Sequence, residues 1–122
     1  NPDLPAVANN LSALLADYRT DKRSFERALE YAEQFRESEN PAFLDTLGWV
    51  YYRLENYEEA VPMLEQSVEA AGQVPVLRYH LGMAYLAVGK TQLAKEQLEI
   101  ALADEAAEFT GVENARDALS KL

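Results

Sequence analysis

The fold is decided by residues 41–74, which read PAFLDTLGWVYYRLENYEEAVPMLEQSVEAAGQV, together with residues 75–108, which read PVLRYHLGMAYLAVGKTQLAKEQLEIALADEAAE. Laid over each other without a gap, the two segments share seven identical positions, each pair separated by 34 residues. A fixed period of this length is typical of repeat architectures, in which each unit packs mainly on its neighbours. The sequence therefore predicts a stack of similar units.

Apolar residues within each unit follow helical spacing and predict two amphipathic helices per unit. Pro41 follows Asn40, which pairs a capping side chain with proline at the first helical position. We expect Pro75 and Pro5 to open the equivalent helices of the neighbouring units. Three prolines thus mark three helix starts.

A looser unit precedes the two clear ones, with small and apolar residues at Leu11, Ser12, Leu15, Ala28, Ala32 and Phe35. The spacing from Ser12 to Ala28 exceeds that from Gly48 to Ala60 by four residues, so we expect a longer turn around residues 17–23. Beyond the third unit, apolar residues recur at helical spacing among polar ones. They predict a capping helix at about 111–122, of the kind that closes a repeat stack.

The residues Leu47, Gly48, Tyr51, Ala60 and Leu64, with their counterparts 34 residues further on, resemble the tetratricopeptide repeat (TPR). The resemblance implies antiparallel helix pairs stacked into a right-handed superhelix. We therefore expect an all-α protein, a right-handed α-solenoid of three TPR helix hairpins and a capping helix, about seven helices in total. One domain would span residues 1–122, with repeats at about 5–40, 41–74 and 75–108.

The resemblance also implies a concave groove, since the first helix of each repeat lines that surface in the family. The candidate groove residues are Asn9, Asn10, Asp17, Asp45, Thr46, Trp49, Tyr52, Arg53, Tyr79, His80 and Met83. Trp49 is the expected anchor for a bound peptide, with packing against a neighbouring repeat as the alternative. Asn9 and Asn10 can bind a peptide backbone or make structural bonds within the stack. His80 is otherwise expected to be an ordinary, partly exposed histidine, and Tyr51 and Tyr85 belong to the core.

Some TPR modules hold the C-terminal carboxylate of heat-shock chaperones with Lys, Arg and Asn at fixed inward positions. The corresponding places in this sequence carry Asn9, Ala13, Thr46, Val76 and His80, which lack the paired cations. We therefore predict that the chain is not a carboxylate clamp of this kind.

Composition argues against several function classes. Twenty-one Asp and Glu against eleven Lys and Arg give a net charge of -10, so nucleic acid and anionic membranes are poor partners. The sequence contains no apolar run long enough to span a bilayer. With no Cys and a single His, we expect neither a metal site nor a cofactor. A nucleophile paired with a base and a phosphate-binding glycine loop are also missing, so we predict that the chain is not an enzyme.

Two functions fit these observations. The first is a non-catalytic protein–protein interaction module that binds a peptide or protein segment, of basic character, in the concave groove. The alternative is a structural spacer or self-association end of a larger solenoid. In that case a homodimer would form through the uncovered apolar face of the first helix, which carries Leu4, Val7, Leu11 and Leu14.

The chain opens with Asn1-Pro2-Asp3, without Met or a signal peptide, so we expect it to be a piece of a longer protein. Residues 44–52 and 57–62 are similar to the last repeats of large bacterial TPR proteins. Some of those are lipoproteins linked to exopolysaccharide and PEP-CTERM protein-sorting systems. That narrower resemblance implies a Gram-negative envelope protein in the periplasm.

Overall fold

The computed structural model describes residues 4–122, in which seven α-helices follow one another and no strand occurs. The helices are α1 (Leu4–Tyr18), α2 (Lys22–Ala32), α3 (Pro41–Arg53), α4 (Tyr57–Ala71), α5 (Pro75–Ala87), α6 (Thr91–Ala101) and α7 (Val112–Ser120). A short 3-10 helix, Glu33–Phe35, follows α2. The prediction of an all-α solenoid of about seven helices is confirmed.

The helices form two layers. Each of the pairs α1 with α2, α3 with α4 and α5 with α6 is joined by a three-residue connection, which turns the chain back on itself as an αα-hairpin. In sequence order, α1, α3, α5 and α7 each contact the next and form one row, the inner row. Within the described residues α2, α4 and α6 contact the inner row but not one another.

Local capping explains where the helices begin. The Asn40 side chain accepts hydrogen bonds from the backbone N–H groups of Ala42, at 2.9 Å, and Phe43, at 3.4 Å, and Pro41 is the first residue of α3. Pro75 likewise opens α5. Both of these predicted helix starts are confirmed, and Pro5 lies in the first turn of α1.

The predicted longer turn in the first unit is wrong. Residues 19–21 connect α1 to α2, and this connection is no longer than those at 54–56 and 88–90. The four extra residues are helical instead: α1 gains one at its end, and α2 begins three residues earlier relative to Ala28 than α4 does relative to Ala60. The cause is Asp21, whose carboxylate accepts the backbone N–H of Ser24 at 3.0 Å and starts α2 early.

Small residues set the distance between the helices of a hairpin. A Cβ added to Gly48 would lie 2.8 Å from Cγ of the fully buried Leu64. Gly82 stands in the same relation to Leu98, at 3.0 Å. In both hairpins the backbone of the inner helix therefore rests directly on a leucine of its partner.

The tyrosines predicted to be core residues are buried, Tyr51 at 5% and Tyr85 at 6% exposure. The hydroxyl of Tyr51 donates to Glu33 at 2.7 Å, and that of Tyr85 donates to Glu65 at 2.6 Å. Burial, together with these acidic partners, raises the pKa of each phenol to about 12. Each ring fills the core while its polar end is hydrogen-bonded at the surface.

Gly48→Ala is expected to lower the free energy of unfolding by about 1–3 kcal/mol, because the new methyl overpacks against Leu64. This loss of stability is expected even though alanine is more favourable than glycine within a helix by roughly 1 kcal/mol. Urea denaturation of the single variant and of the same change in a Leu64→Ala background provides the measurement. In the Leu64→Ala background, Gly48→Ala should be neutral or stabilising. An equal loss of stability in both backgrounds would show that the contact with Leu64 is not the cause.

Candidate functional site

A cleft lies on the inner row, between α1, α3, α5 and the connection that precedes α7. It has a volume of about 230 Å³ and is lined by Ala13, Ala16, Asp17, Asp45, Thr46, Trp49, Val76, His80, Phe109 and Thr110. A second cavity of about 210 Å³ shares four of these residues and adds Arg53, Tyr79, Gly111 and Asn114. We refer to these two neighbouring spaces, which share lining residues, as the inner cleft.

The indole of Trp49 lies at the centre of this arrangement. Tyr52 stacks on it with ring centroids 4.5 Å apart and 5° between the planes, and His80 stacks at 3.9 Å and 18°. The indole Nε1 donates to Oδ1 of Asp17 at 3.2 Å. With 7% exposure, Trp49 is a buried residue of the cleft lining. Rings of this chain cover the indole, as the packing alternative predicts, and the role of Trp49 as an anchor for a bound peptide stays a prediction.

His80 and Asp45 form a buried pair that joins α5 to α3. The imidazole Nδ1 lies 2.8 and 2.9 Å from the two carboxylate oxygens of Asp45, and the two residues are 6% and 7% exposed. A carboxylate only accepts hydrogen bonds, so Nδ1 is the donor. The expectation of a partly exposed histidine is wrong, because the rings of Trp49 and Tyr79 lie against the imidazole.

Asp17 is the second carboxylate of the inner cleft, and it lies half-buried at the end of α1. Burial raises the pKa of this carboxyl group, and the nearby His80 and the hydrogen bond from Trp49 offset part of the rise. Arg53 lies close by, but its Nη2 donates to the carbonyl of Arg19 at 3.2 Å and its guanidinium lies 4.7 Å from the ring centroid of Phe25. Among the described residues Asp17 has no ion pair.

The connection before α7 contributes residues that were not predicted as part of the site. Phe109 contacts the ring of Tyr79 at a centroid distance of 5.7 Å, and Thr110 lines both parts of the cleft. Gly111 has a φ of 96°, and a Cβ at this position would collide with the Tyr79 ring. The one available sequence signal was a glycine just before a capping helix, and it does not indicate which surface the segment contacts.

The other candidate residues divide into two groups. Thr46 is buried in the cleft lining, where its hydroxyl donates to the carbonyl of Ala42 at 3.0 Å. The structure thus brings Asp17, Asp45, Thr46, Trp49, Arg53, Tyr79 and His80 together around the inner cleft. Four candidates do not line it. Asn9 is half-buried on α1 and Asn10 is exposed, while Tyr52 and Met83 are half-buried and pack against the core cluster that contains Trp49.

Two further features concern the described part of the chain. Between residues 4 and 122, no group of three or more His, Cys, Asp or Glu side chains is placed to hold a metal ion. In the same range, no helix combines the length and the apolar character that crossing a bilayer requires.

Comparison with known proteins identifies the fold. Residues 42–73 match the family described as tetratricopeptide repeat. The second TPR domain of the human RPAP3 protein, solved by NMR in complex with the HSP70 peptide SGPTIEEVD, superposes with a TM-score of 0.70. The match covers 96% of each chain at 21% sequence identity. The chain therefore has the fold of a TPR domain.

No curated protein has a significant sequence match to this chain. The narrower resemblance to bacterial lipoproteins of PEP-CTERM systems is not supported by these comparisons, which concern the repeat and the fold alone.

Asp17→Asn is expected to maintain or raise the free energy of unfolding near pH 7. The amide still accepts a hydrogen bond from Trp49, and the variant loses a charge that burial penalises. Because the pKa of Asp17 is raised in the folded state, this penalty is complete above the folded pKa. It disappears as the pH falls toward the ordinary value of 3.8, so the advantage of the variant should shrink on acidification.

Urea denaturation at neutral and acidic pH measures this effect. Glu96→Gln, at an exposed position of α6, removes the same charge without a burial effect and serves as the control. If Asp17→Asn is less stable than wild type at neutral pH, the carboxylate stabilises the fold and the prediction is wrong.

Proposed function

We propose that this domain binds a peptide or protein segment in the inner cleft and acts as a non-catalytic interaction module. The cleft itself is the observation that carries the proposal: it is concave, its two parts have volumes of about 230 and 210 Å³, and it combines aromatic and small apolar walls with a few polar groups. The human domain of the same fold, which was solved with a nine-residue peptide, supports a ligand of this class.

The polar groups of the inner cleft are held in place before any ligand arrives. Asp45 is fixed by His80, and Asp17 is fixed by the indole N–H of Trp49. Side chains that are ordered in advance lose little conformational entropy on binding, which favours recognition. In a non-catalytic binding site these groups serve as hydrogen-bond donors and acceptors, and no reactive side chain is needed.

Charge distinguishes this cleft from a site for acidic peptides. The HSP70 peptide bound by the human domain contains two Glu and one Asp. Here two carboxylates, Asp17 and Asp45, line the cleft, and the chain carries a net charge of -10. Like charges in one site are destabilising, so the proposed ligand is neutral or basic.

Ala13→Phe tests this proposal, because Ala13 lines the cleft from α1 and a larger side chain there fills it while the aromatic core stays intact. A displayed library of random nine-residue peptides is selected on the wild-type chain. Selected peptides should change the fluorescence of Trp49, the single tryptophan, and bind Ala13→Phe at least about tenfold more weakly.

The matched control is Ala70→Phe, the same change at an exposed position of α4, which is not part of the inner row. This variant should bind like wild type. Circular dichroism confirms that all three proteins are folded. Peptides that bind wild type and Ala13→Phe equally, or a selection without enrichment, would refute the inner cleft as the binding surface.

Self-association through α1 is a second candidate function, favoured by a separate observation. Five apolar side chains on this helix are between 41% and 68% exposed: Leu4, Val7, Leu11, Leu14 and Tyr18. Their alternating spacing of three and four residues is that of a helix face that packs against another helix. Residues 1–36 carry five basic and six acidic side chains, against six and fifteen in residues 37–122. Repulsion between two copies is therefore weakest at this end.

Leu11→Asp is expected to abolish a dimer formed in this way, because it places a charge in the centre of the apolar face. Sedimentation over about a hundredfold range of protein concentration measures the mass. Leu93→Asp on α6 is the control, since Leu93 is exposed to the same 41% as Leu11. A wild-type chain that is monomeric throughout this range would exclude self-association.

A further inference from the structure

Asp17 is a carboxylate whose charge is only partly offset by the nearby His80 and Arg53, since burial has the larger effect on its pKa. One of its oxygens accepts from the indole of Trp49, and no ion pair is formed with any described residue. It is half-buried, and burial raises its pKa. A partly desolvated carboxylate without a cationic partner costs stability, and a bound cation would offset that cost.

Neither of the basic side chains that line the inner cleft forms an ion pair with Asp17. Arg53 donates from Nη2 to the carbonyl of Arg19 and lies over the ring of Phe25, while its buried Nε has no hydrogen-bond partner among the described residues. The Nδ1 of His80 is used by Asp45. The described cleft lining includes no lysine and no second arginine. A direct ion-pair partner for Asp17 is therefore missing from this lining, and a bound segment can supply one.

The walls beside Asp17 suit the stem of a long side chain. Ala13, one turn before it on α1, presents only a methyl group, and Val76 and Phe109 supply further apolar surface. Lys and Arg bury their methylene stems on such surface while the charged end reaches a polar partner. Neighbouring aromatic rings also attract a cation.

We propose that the inner cleft accepts one basic side chain, Lys or Arg, of the bound segment, with its charged end on the carboxylate of Asp17 and its stem along Ala13. This inference rests on the proposed peptide-binding function and specifies the chemistry of its ligand. Asp17 is then the residue that determines specificity, and the remainder of the cleft supplies shape and apolar contact.

The experiment continues from the selected nine-residue peptides. They should share Lys or Arg at one position. Exchange of that residue for Gln in the peptide should weaken binding to wild type by at least about tenfold, measured by Trp49 fluorescence. On Asp17→Asn the same exchange should change affinity by less than about twofold, because the carboxylate partner is missing. Glu96→Gln removes an equal charge outside the cleft and should retain the full difference.

The outcomes separate the two proposals. Peptides that alter Trp49 fluorescence and respond to Ala13→Phe, but share no basic residue, would overturn this inference and leave the binding function intact. A Gln exchange that costs the same affinity on wild type and on Asp17→Asn would also overturn it, since the basic residue would then contact another group. If no selected peptide alters Trp49 fluorescence, the binding function fails and this inference fails with it.

Discussion

The direct contact between a glycine backbone and a leucine side chain controls the geometry of this protein. Gly48 rests on Leu64 and Gly82 on Leu98, and a side chain at either glycine would push the two helices of the hairpin apart. Since a helix turns by about 100° per residue, fixing the glycine face also fixes the direction of its neighbours. Trp49, directly after Gly48, is thereby turned toward the adjacent inner helices.

The indole of Trp49 then links three consecutive units. It stacks on Tyr52 of its own helix and on His80 of α5, and it donates a hydrogen bond to Asp17 of α1. Because each unit of a solenoid contacts mainly its neighbours, a side chain that reaches both sides sets how the inner helices sit together. The shape of the inner cleft therefore follows from the packing of one ring.

The features that depend on local periodicity could be predicted from the sequence. Three features were predictable because each depends on residues of a single repeat. They are the 34-residue period, the helix starts at Pro41 and Pro75, and the burial of Tyr51 and Tyr85. The turn at residues 19–21 was mispredicted, because the extra residues were assigned to the connection while the Asp21 cap extended α2. The contacts around the cleft join residues from three units and from the non-periodic segment 109–111. No spacing rule places these residues together.

A comparison of the second and third repeats distinguishes residues that the fold requires from residues that only line the cleft. Positions that make the hairpin contacts are identical 34 residues apart, as in Leu47 with Leu81 and Gly48 with Gly82. Cleft positions differ: Asp45 corresponds to Tyr79, and Thr46 corresponds to His80. The stack thus tolerates either a polar or an aromatic side chain there, and buried polar groups stabilise a fold less than apolar residues of similar size. Polar chemistry at the inner cleft is therefore not a requirement of the solenoid, and it is the feature on which the proposed recognition of a ligand rests.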